Sequence, residues 1–130
     1  KILDELDIKK ALVWHISQRD YDSHKGNEIL SKFIAGEKRL FGCWAILPPQ
    51  TREMAQGRGF FKLMKQNRIF ALRVFPNTNN HRFLLNRIVF GKFLDEVSER
   101  KIPLMFSLEN GITWEGIYSI LKEYPNLVFN

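Results

Sequence analysis

The feature that most constrains this chain is a regular alternation of five short apolar runs with segments of helical spacing. The runs are Ala11–Ile16, Leu40–Leu47, Ile69–Phe75, Pro103–Leu108 and Asn126–Phe129. They are rich in Val, Ile, Leu and Phe and nearly continuous, as strands covered on both faces must be. Between them, Ile29, Leu30, Phe33 and Ile34 share one helical face, with Gly36 as the stop. Thr51 can cap a helix running to Met64, although Gly57 and Gly59 weaken its middle. Phe90, Phe93, Leu94 and Val97 make the strongest apolar stripe, continuing to Lys101. Thr113 can cap a last helix that buries Ile117, Ile120 and Leu121 and stops before Pro125. Pro103 and Pro125 each open a strand, where a missing amide donor is tolerated.

Such alternation predicts an α/β fold of parallel β/α repeats joined by right-handed crossovers. Two architectures satisfy it: an open doubly wound sheet, or part of a (β/α)₈ barrel. A closed barrel needs roughly 200 residues or more. The 130 residues here would therefore form one partial domain, a partial TIM barrel with about five strands.

Composition removes several function classes. The net charge of +6 comes from scattered Lys and Arg, and the Phe residues sit inside apolar runs. That pattern reads as a basic solvated surface, not as the stripe with exposed aromatics that nucleic acid requires. No apolar run approaches the roughly 20 residues that cross a bilayer, and the acidic start Lys1–Leu6 is no signal peptide. One cysteine, Cys43, cannot form an internal disulfide, so the expected compartment is the cytoplasm. The chain lacks an initiator Met and begins within amphipathic sequence, as a piece of a longer protein would.

In either architecture sites are built at strand C-terminal ends. Strand parity assigns Phe70, Leu72 and Val74 to the helix-covered face and leaves Ala71, Arg73 and Phe75 facing inward. The same logic groups Ala11, Val13 and His15, and separately Met105, Ser107 and Glu109. Arg73, His15 and Glu109 thus become the inward polar residues, and His81, in the polar loop after the third run, could reach a substrate. A charged Arg inside an apolar strand is costly unless it is paired or binds an anion. On the residues alone, an ion pair with Glu109 is favoured over a ligand role for Arg73. Asp20-x-Asp22-x-His24 could offer metal ligands, but a polar loop explains it without metal. Cys43 reads as a buried inert thiol, and Gly57-x-Gly59 is no dinucleotide fingerprint.

The stretch Phe70-Ala71-Leu72-Arg73-Val74-Phe75-Pro76, then Arg82-Phe83, a helix, and Arg100-Lys101-Ile102-Pro103-Leu104-Met105-Phe106 resembles the central part of amidohydrolase-related proteins. There a strand of the form G-[VF]-[KR]-[LI]-H-P precedes a helix and a strand of the form P-[VL]-[LI]-[IV]-H. Tyr124-Pro125-Asn126-Leu127-Val128-Phe129 is similar to the family's next segment, and Leu6–Val13 to its lead into the second barrel strand. The resemblance covers nearly the whole chain and rests on the order and spacing of weak motifs. It implies the second to sixth βα units of a TIM-type barrel that binds one or two divalent metals, usually zinc, to activate water.

The ligands so implied are an H-x-H on the first strand, His on the fifth and sixth, and Asp on the eighth. Ser107 matches the fifth-strand His, Phe75 stands where the fourth strand often has His, and the other positions fall outside residues 1–130. Arg73 does match the family's basic position. The expectation is therefore no metal or cofactor within this chain, with zinc only in a complete barrel whose other strands supply ligands. The function implied is a fragment of an amidohydrolase-like hydrolase acting on a small polar substrate, with the isolated chain inactive and no catalytic residue assigned. The alternative is a metal-free barrel relative or half-barrel binding module. The expected partners are a small-molecule substrate, and either a second copy or the remainder of a longer chain.

Overall fold

The apolar runs pair in the order of the chain. The computed structural model describes residues 1–54, 58–77, 79–108 and 112–130. Strands β1 (Ala11–Val13), β2 (Leu40–Ala45), β3 (Ile69–Arg73) and β4 (Leu104–Met105) form one all-parallel sheet in the order β1-β2-β3-β4. The sheet is a half-barrel flanked by helices. It has four strands rather than five, because the last run contributes only a single parallel bridge between Leu104 and Phe129. Each strand is also shorter than its apolar run. Residues 46–47 and 74–75 keep their burial or part of it but leave the ladder, as the chain turns toward the loops at the strand C-terminal ends.

The helices are α1 (Ile2–Glu5), α2 (Ser17–Asp20), α3 (Ser23–Ala35), α4 (Arg58–Gln66), α5 (Arg87–Phe90), α6 (Lys92–Glu99) and α7 (Trp114–Glu123). The core lies between them and one face of the sheet. Leu30 and Ile34 of α3, Phe60 and Met64 of α4, Leu94 and Val97 of α6 and Ile117 and Ile120 of α7 are buried there with Leu40, Trp44, Leu72 and Leu104. Burying a side chain of this size stabilises by about 1.5–3 kcal/mol relative to leaving it exposed.

Several helix expectations need correction. Asp22 caps α3 by accepting a hydrogen bond from the Lys25 amide at 2.8 Å. Leu30 and Ile34 bury, but Ile29 and Phe33 turn to solvent, since i,i+4 pairs one residue out of phase lie at the edge of the stripe. Gly36 ends the helix at φ −84°, so no left-handed turn is involved. Thr51 closes a 3-10 turn, Pro49–Thr51, and the following α-helix starts only at Arg58. Gly57 lies outside the described residues. The stripe Phe90–Val97 is divided between α5 and α6 at Gly91, whose φ of 51° and ψ of −135° favour glycine. α7 forms as expected, with the Thr113 hydroxyl accepting from the Gly116 amide at 3.2 Å.

Two parity assignments are also corrected. Gly42 pairs with Ile69 but Cys43 pairs with Ala71, so Phe70 is an extra residue in the β3 register. This irregularity sends Ile69 to the helix side, and Phe70 is 60% exposed, its ring edge-on to Phe41. In β1, Ala11 and Val13 pack against the helix-side core, whereas Trp14 touches Phe75 and Arg73. The β1 faces are therefore the reverse of those read from the sequence, and His15 falls beyond β1 in the turn that leads into α2.

Candidate functional site

The concave face carries Trp14, Cys43, Ala71, Arg73, Phe75 and Met105, and its geometry begins with how β2 ends. In a parallel ladder alternate residues bond alternate neighbours. Gly42 donates to the Arg68 carbonyl and Ile46 to the Arg73 carbonyl, so Cys43 and Ala45 point their backbone groups toward β1. β1 stops at Val13 and does not reach the Cys43 carbonyl or the backbone groups of Ala45. Two buried amide side chains substitute for it. Gln18 Nε2 donates to the Cys43 carbonyl at 3.0 Å and to Asn27 Oδ1 at 2.6 Å. Asn27 Nδ2 donates to the Ala45 carbonyl and its Oδ1 accepts from the Ala45 amide, both at 2.9 Å. Gln18 Oε1 accepts from the His15 amide at 2.8 Å, which fixes the chain just after Trp14. His15 is absorbed in the same turn: its Nδ1 accepts from the Ser17 amide at 3.2 Å.

Arg73 closes β3, paired in register with Ala45 on one side and Met105 on the other. Its guanidinium lies 4.7 Å from the centroid of the Trp14 ring and 5.3 Å from that of Phe75. Arg73 Nε is enclosed and has no hydrogen-bond partner. Among the described residues no carboxylate pairs with Arg73; Glu109, the expected partner, lies outside them. The aromatic faces supply cation–π attraction but no acceptor, so the planar fork retains its capacity for a carboxylate or phosphate group. Beside it, Cys43 Sγ lies 3.8 Å from Met105 Sδ. Burial pushes the Cys43 thiol up to about 12, against a smaller opposing pull from Arg73. A thiol so disfavoured as thiolate is no nucleophile.

His81 stands behind Phe75. Its amide donates to the Phe75 carbonyl at 3.1 Å, and its ring meets Phe75 edge-on and Phe83 nearly parallel. Nε2 lies 3.3 Å from Ser23 Oγ, whose own hydroxyl donates to the Gln18 carbonyl at 2.8 Å. That arrangement assigns the proton to Nε2 and leaves Nδ1 enclosed without a partner. Burial holds the His81 pKa below its ordinary value, opposed by the Arg19 and Gln18 carbonyls and the charges of Glu53 and Asp20. His81 borders a cleft of about 360 Å³ shared with Tyr21, Ser23, Thr51, Glu53 and Arg82. A hollow of about 470 Å³ lies between α3 and α4, with Trp44, Met54 and Phe60 on its apolar side and Asn27 and Ser31 on its polar side.

Of the residues read as polar and functional, the structure thus brings both Arg73 and His81 against Phe75 and leaves His15 in a local turn. Sequence reading missed Trp14, Ser23, Gln18 and Asn27. Trp14 was findable, since reversing the β1 parity places an aromatic ring beside Arg73. The two amides left no signal, because only the early end of β1 makes them necessary.

The Asp20-Asp22-His24 set does not converge. Asp20 pairs with Arg19 at 2.6 Å, Asp22 caps α3, and His24 Nε2 lies 3.3 Å from Glu28. Among the described residues no three His, Cys, Asp or Glu side chains are placed to hold a metal. At the strand ends Phe75 offers no donor, and Ser107 is a poor zinc ligand. Among the described residues, these positions therefore do not supply a zinc site. Among the described residues no helix is long and apolar enough to cross a membrane. Comparison of the chain with protein-family models, curated proteins and solved structures returned no match.

Proposed function

We propose that this chain is the central part of an amidohydrolase-like TIM barrel acting on a small polar substrate, and that Arg73 holds an anionic group of that substrate. The observation that carries the reading is Arg73 itself. It ends a central strand, lies between Trp14 and Phe75, and has an enclosed Nε with no acceptor. Arg73 is half-buried, and its enclosed Nε is a donor without an acceptor, a cost that an anionic ligand would relieve. The order of the parallel strands supports a barrel with its site at the strand C-terminal ends. Within this chain the contribution is binding and orientation: Arg73 takes a carboxylate through two parallel N–H bonds, and Trp14 and Phe75 hold its plane. No hydrolytic step is assigned to these residues, and zinc ligands would have to come from other strands of the barrel.

Phe75 and Ser107, which stand where the family has His, favour a second reading, a metal-free half-barrel binding module. The test is calorimetric titration of the protein with acetate, succinate and inorganic phosphate, followed by the same titrations on Arg73→Lys and Arg73→Met. The expected result is saturable carboxylate binding, weaker in the Lys variant and lost in the Met variant. Absence of binding, or equal binding by Arg73→Met, would remove the anion site. Turnover of small carboxylated amides with added zinc, measured on a chain extended by the remaining barrel strands, separates the hydrolase from the module, which binds without turnover.

A further inference from the structure

We propose that the strand N-terminal end of the sheet binds single-stranded nucleic acid, along a strip of alternating rings and cations centred on Phe70. A parallel sheet returns every strand to the same end, so basic residues that precede the strands gather there although the chain scatters them. Lys10 precedes β1, Lys38 precedes β2, Arg68 precedes β3, and Arg100 and Lys101 precede β4. This end is opposite to the one that carries Arg73, and the inference does not rest on the anion site there. Lys9 and Arg39 also lie at this end but are paired, Lys9 with Asp7 and Arg39 with Asp4 and Glu37. Among the described residues no carboxylate pairs with Lys10, Lys38, Lys65, Arg68, Arg100 or Lys101. The Arg68 guanidinium donates to the Ile34 and Glu37 carbonyls, which leaves its charge unneutralised.

The rings lie between these cations. Phe41 has Lys10 Nζ 6.0 Å and the Arg68 guanidinium 5.9 Å from its centroid, and it meets Phe70 edge-on at 5.0 Å. Phe70 is the extra residue of the β3 register, the kind of irregularity that re-aims a side chain. Its exposed ring lines a cleft of about 330 Å³. Buried Phe61 and Ile69 floor the cleft, and Lys65, Arg100 and Lys101 bound it, with Arg100 lying 4.3 Å from the Phe61 centroid. Arg68 and Lys101 each stand just past the end of a helix with φ of 55° and 54°, where glycine is the relaxed choice. A cation is held at both positions at a cost in backbone energy, and such strain collects where a side chain has a function. An open ring flanked by unneutralised cations takes a base by stacking and its phosphates by charge. The strip from Lys10 through Phe41 and Phe70 to Lys101 crosses three strand spacings of about 4.8 Å each, longer than a single nucleotide. A duplex offers Phe70 no free base face, so the ligand is a single strand.

The test is fluorescence anisotropy of labelled oligothymidylate and oligouridylate of about twelve nucleotides, titrated with the whole chain at several salt concentrations. The expected result is saturable binding whose logarithm falls with the logarithm of salt at a slope of about −2 or steeper, as three or more neutralised phosphates require. Phe70→Ala should weaken binding about fivefold to a hundredfold and leave that slope unchanged. Lys65→Gln and Arg100→Gln should each make the slope shallower by about 0.7. Lys101→Gly should weaken binding in the same way yet unfold at no lower urea concentration than the wild type, because glycine relaxes the positive φ. That variant separates lost binding from lost fold. Lys92→Gln, at the start of α6 and so at the other end of the strands, is the control and should bind as the wild type does. Absence of saturable binding overturns the proposal, as does a loss in Lys92→Gln equal to that in Lys65→Gln, which reduces the effect to bulk charge. Thymidine monophosphate bound as tightly as the oligonucleotide overturns it too, as does binding of phosphatidylserine vesicles with the oligonucleotides ignored.

Discussion

Gly26 lies so close to Gln18 that a Cβ at its position would sit 2.6 Å from the Gln18 backbone nitrogen and 2.8 Å from its Cα. The contact sets the approach of α3 to α2, and so brings Asn27, the next residue, within reach of Gln18 and of β2. Gly26→Ala must displace backbone, and is expected to cost about 1–3 kcal/mol, toward the upper end. Gly36→Ala is the control. No atom lies within 4 Å of a Cβ there, and its φ of −84° suits alanine. It should be neutral or stabilise by about 0.4–1 kcal/mol through the unfolded chain. Urea unfolding of both variants checks the pair, and equal losses would contradict the packing.

Asn27 satisfies both backbone groups of Ala45 as well as Gln18. Asn27→Leu fills similar volume but abandons three polar partners in the interior. Each such orphan costs about 1–3 kcal/mol, so the loss should exceed about 2 kcal/mol even after relaxation. Gln18→Leu should lose less, since the Cys43 carbonyl and the His15 amide are the backbone groups it leaves unanswered. Denaturant titration decides the order, and an Asn27→Leu variant as stable as the wild type would show that water replaces the amide.

The half-barrel was legible in the sequence because both of its signals are strong. Continuous apolar runs mark strands covered on two faces, and their separation by helical stripes leaves few topologies. Strand faces were less legible. Parity assumes an unbroken register, and the extra residue at Phe70 reverses the assignment of Ile69 and Phe70 without changing any residue type. In β1, with only three paired residues, the alternation Ala-Leu-Val-Trp-His has no polar member until His15, so nothing in it distinguishes the faces. Arg73 was recognisable from its cost alone. Its neighbours were not, because Trp14 reaches it from the end of β1, across the single intervening strand β2, and their contact depends on the β1 face that the sequence leaves open.

Arg73 also carries a prediction about stability that is separate from binding. Its guanidinium gains about 0.5–2 kcal/mol from the two ring faces but leaves Nε without an acceptor. Arg73→Met keeps an unbranched stem as far as the position of Nε and removes the guanidinium charge. The two effects nearly cancel, and the variant should unfold within about 1 kcal/mol of the wild type. A loss of 3 kcal/mol or more, the amount typical of a broken buried ion pair, would mean that Arg73 has a carboxylate partner after all, and Glu109 is the residue to exchange next.

Cys43 provides a probe of whether the concave face stays closed over its own side chains. It is buried, with Met105 against its sulfur, and burial raises its thiol from 9.0 to about 12. That change lowers the thiolate fraction near neutral pH about a thousandfold, and thiolate is the species that reacts with iodoacetamide. Arg73 pulls in the opposite direction but is the smaller influence. Labelling of the native protein at mildly alkaline pH should therefore be far slower than that of a free thiol. It should rise steeply only through the urea unfolding transition, with the same midpoint as the loss of tryptophan fluorescence. Mass spectrometry of timed samples measures both. Rapid labelling well before the transition would mean that the sheet around Cys43 opens locally, and that the Arg73 face is not the ordered surface the side-chain contacts describe.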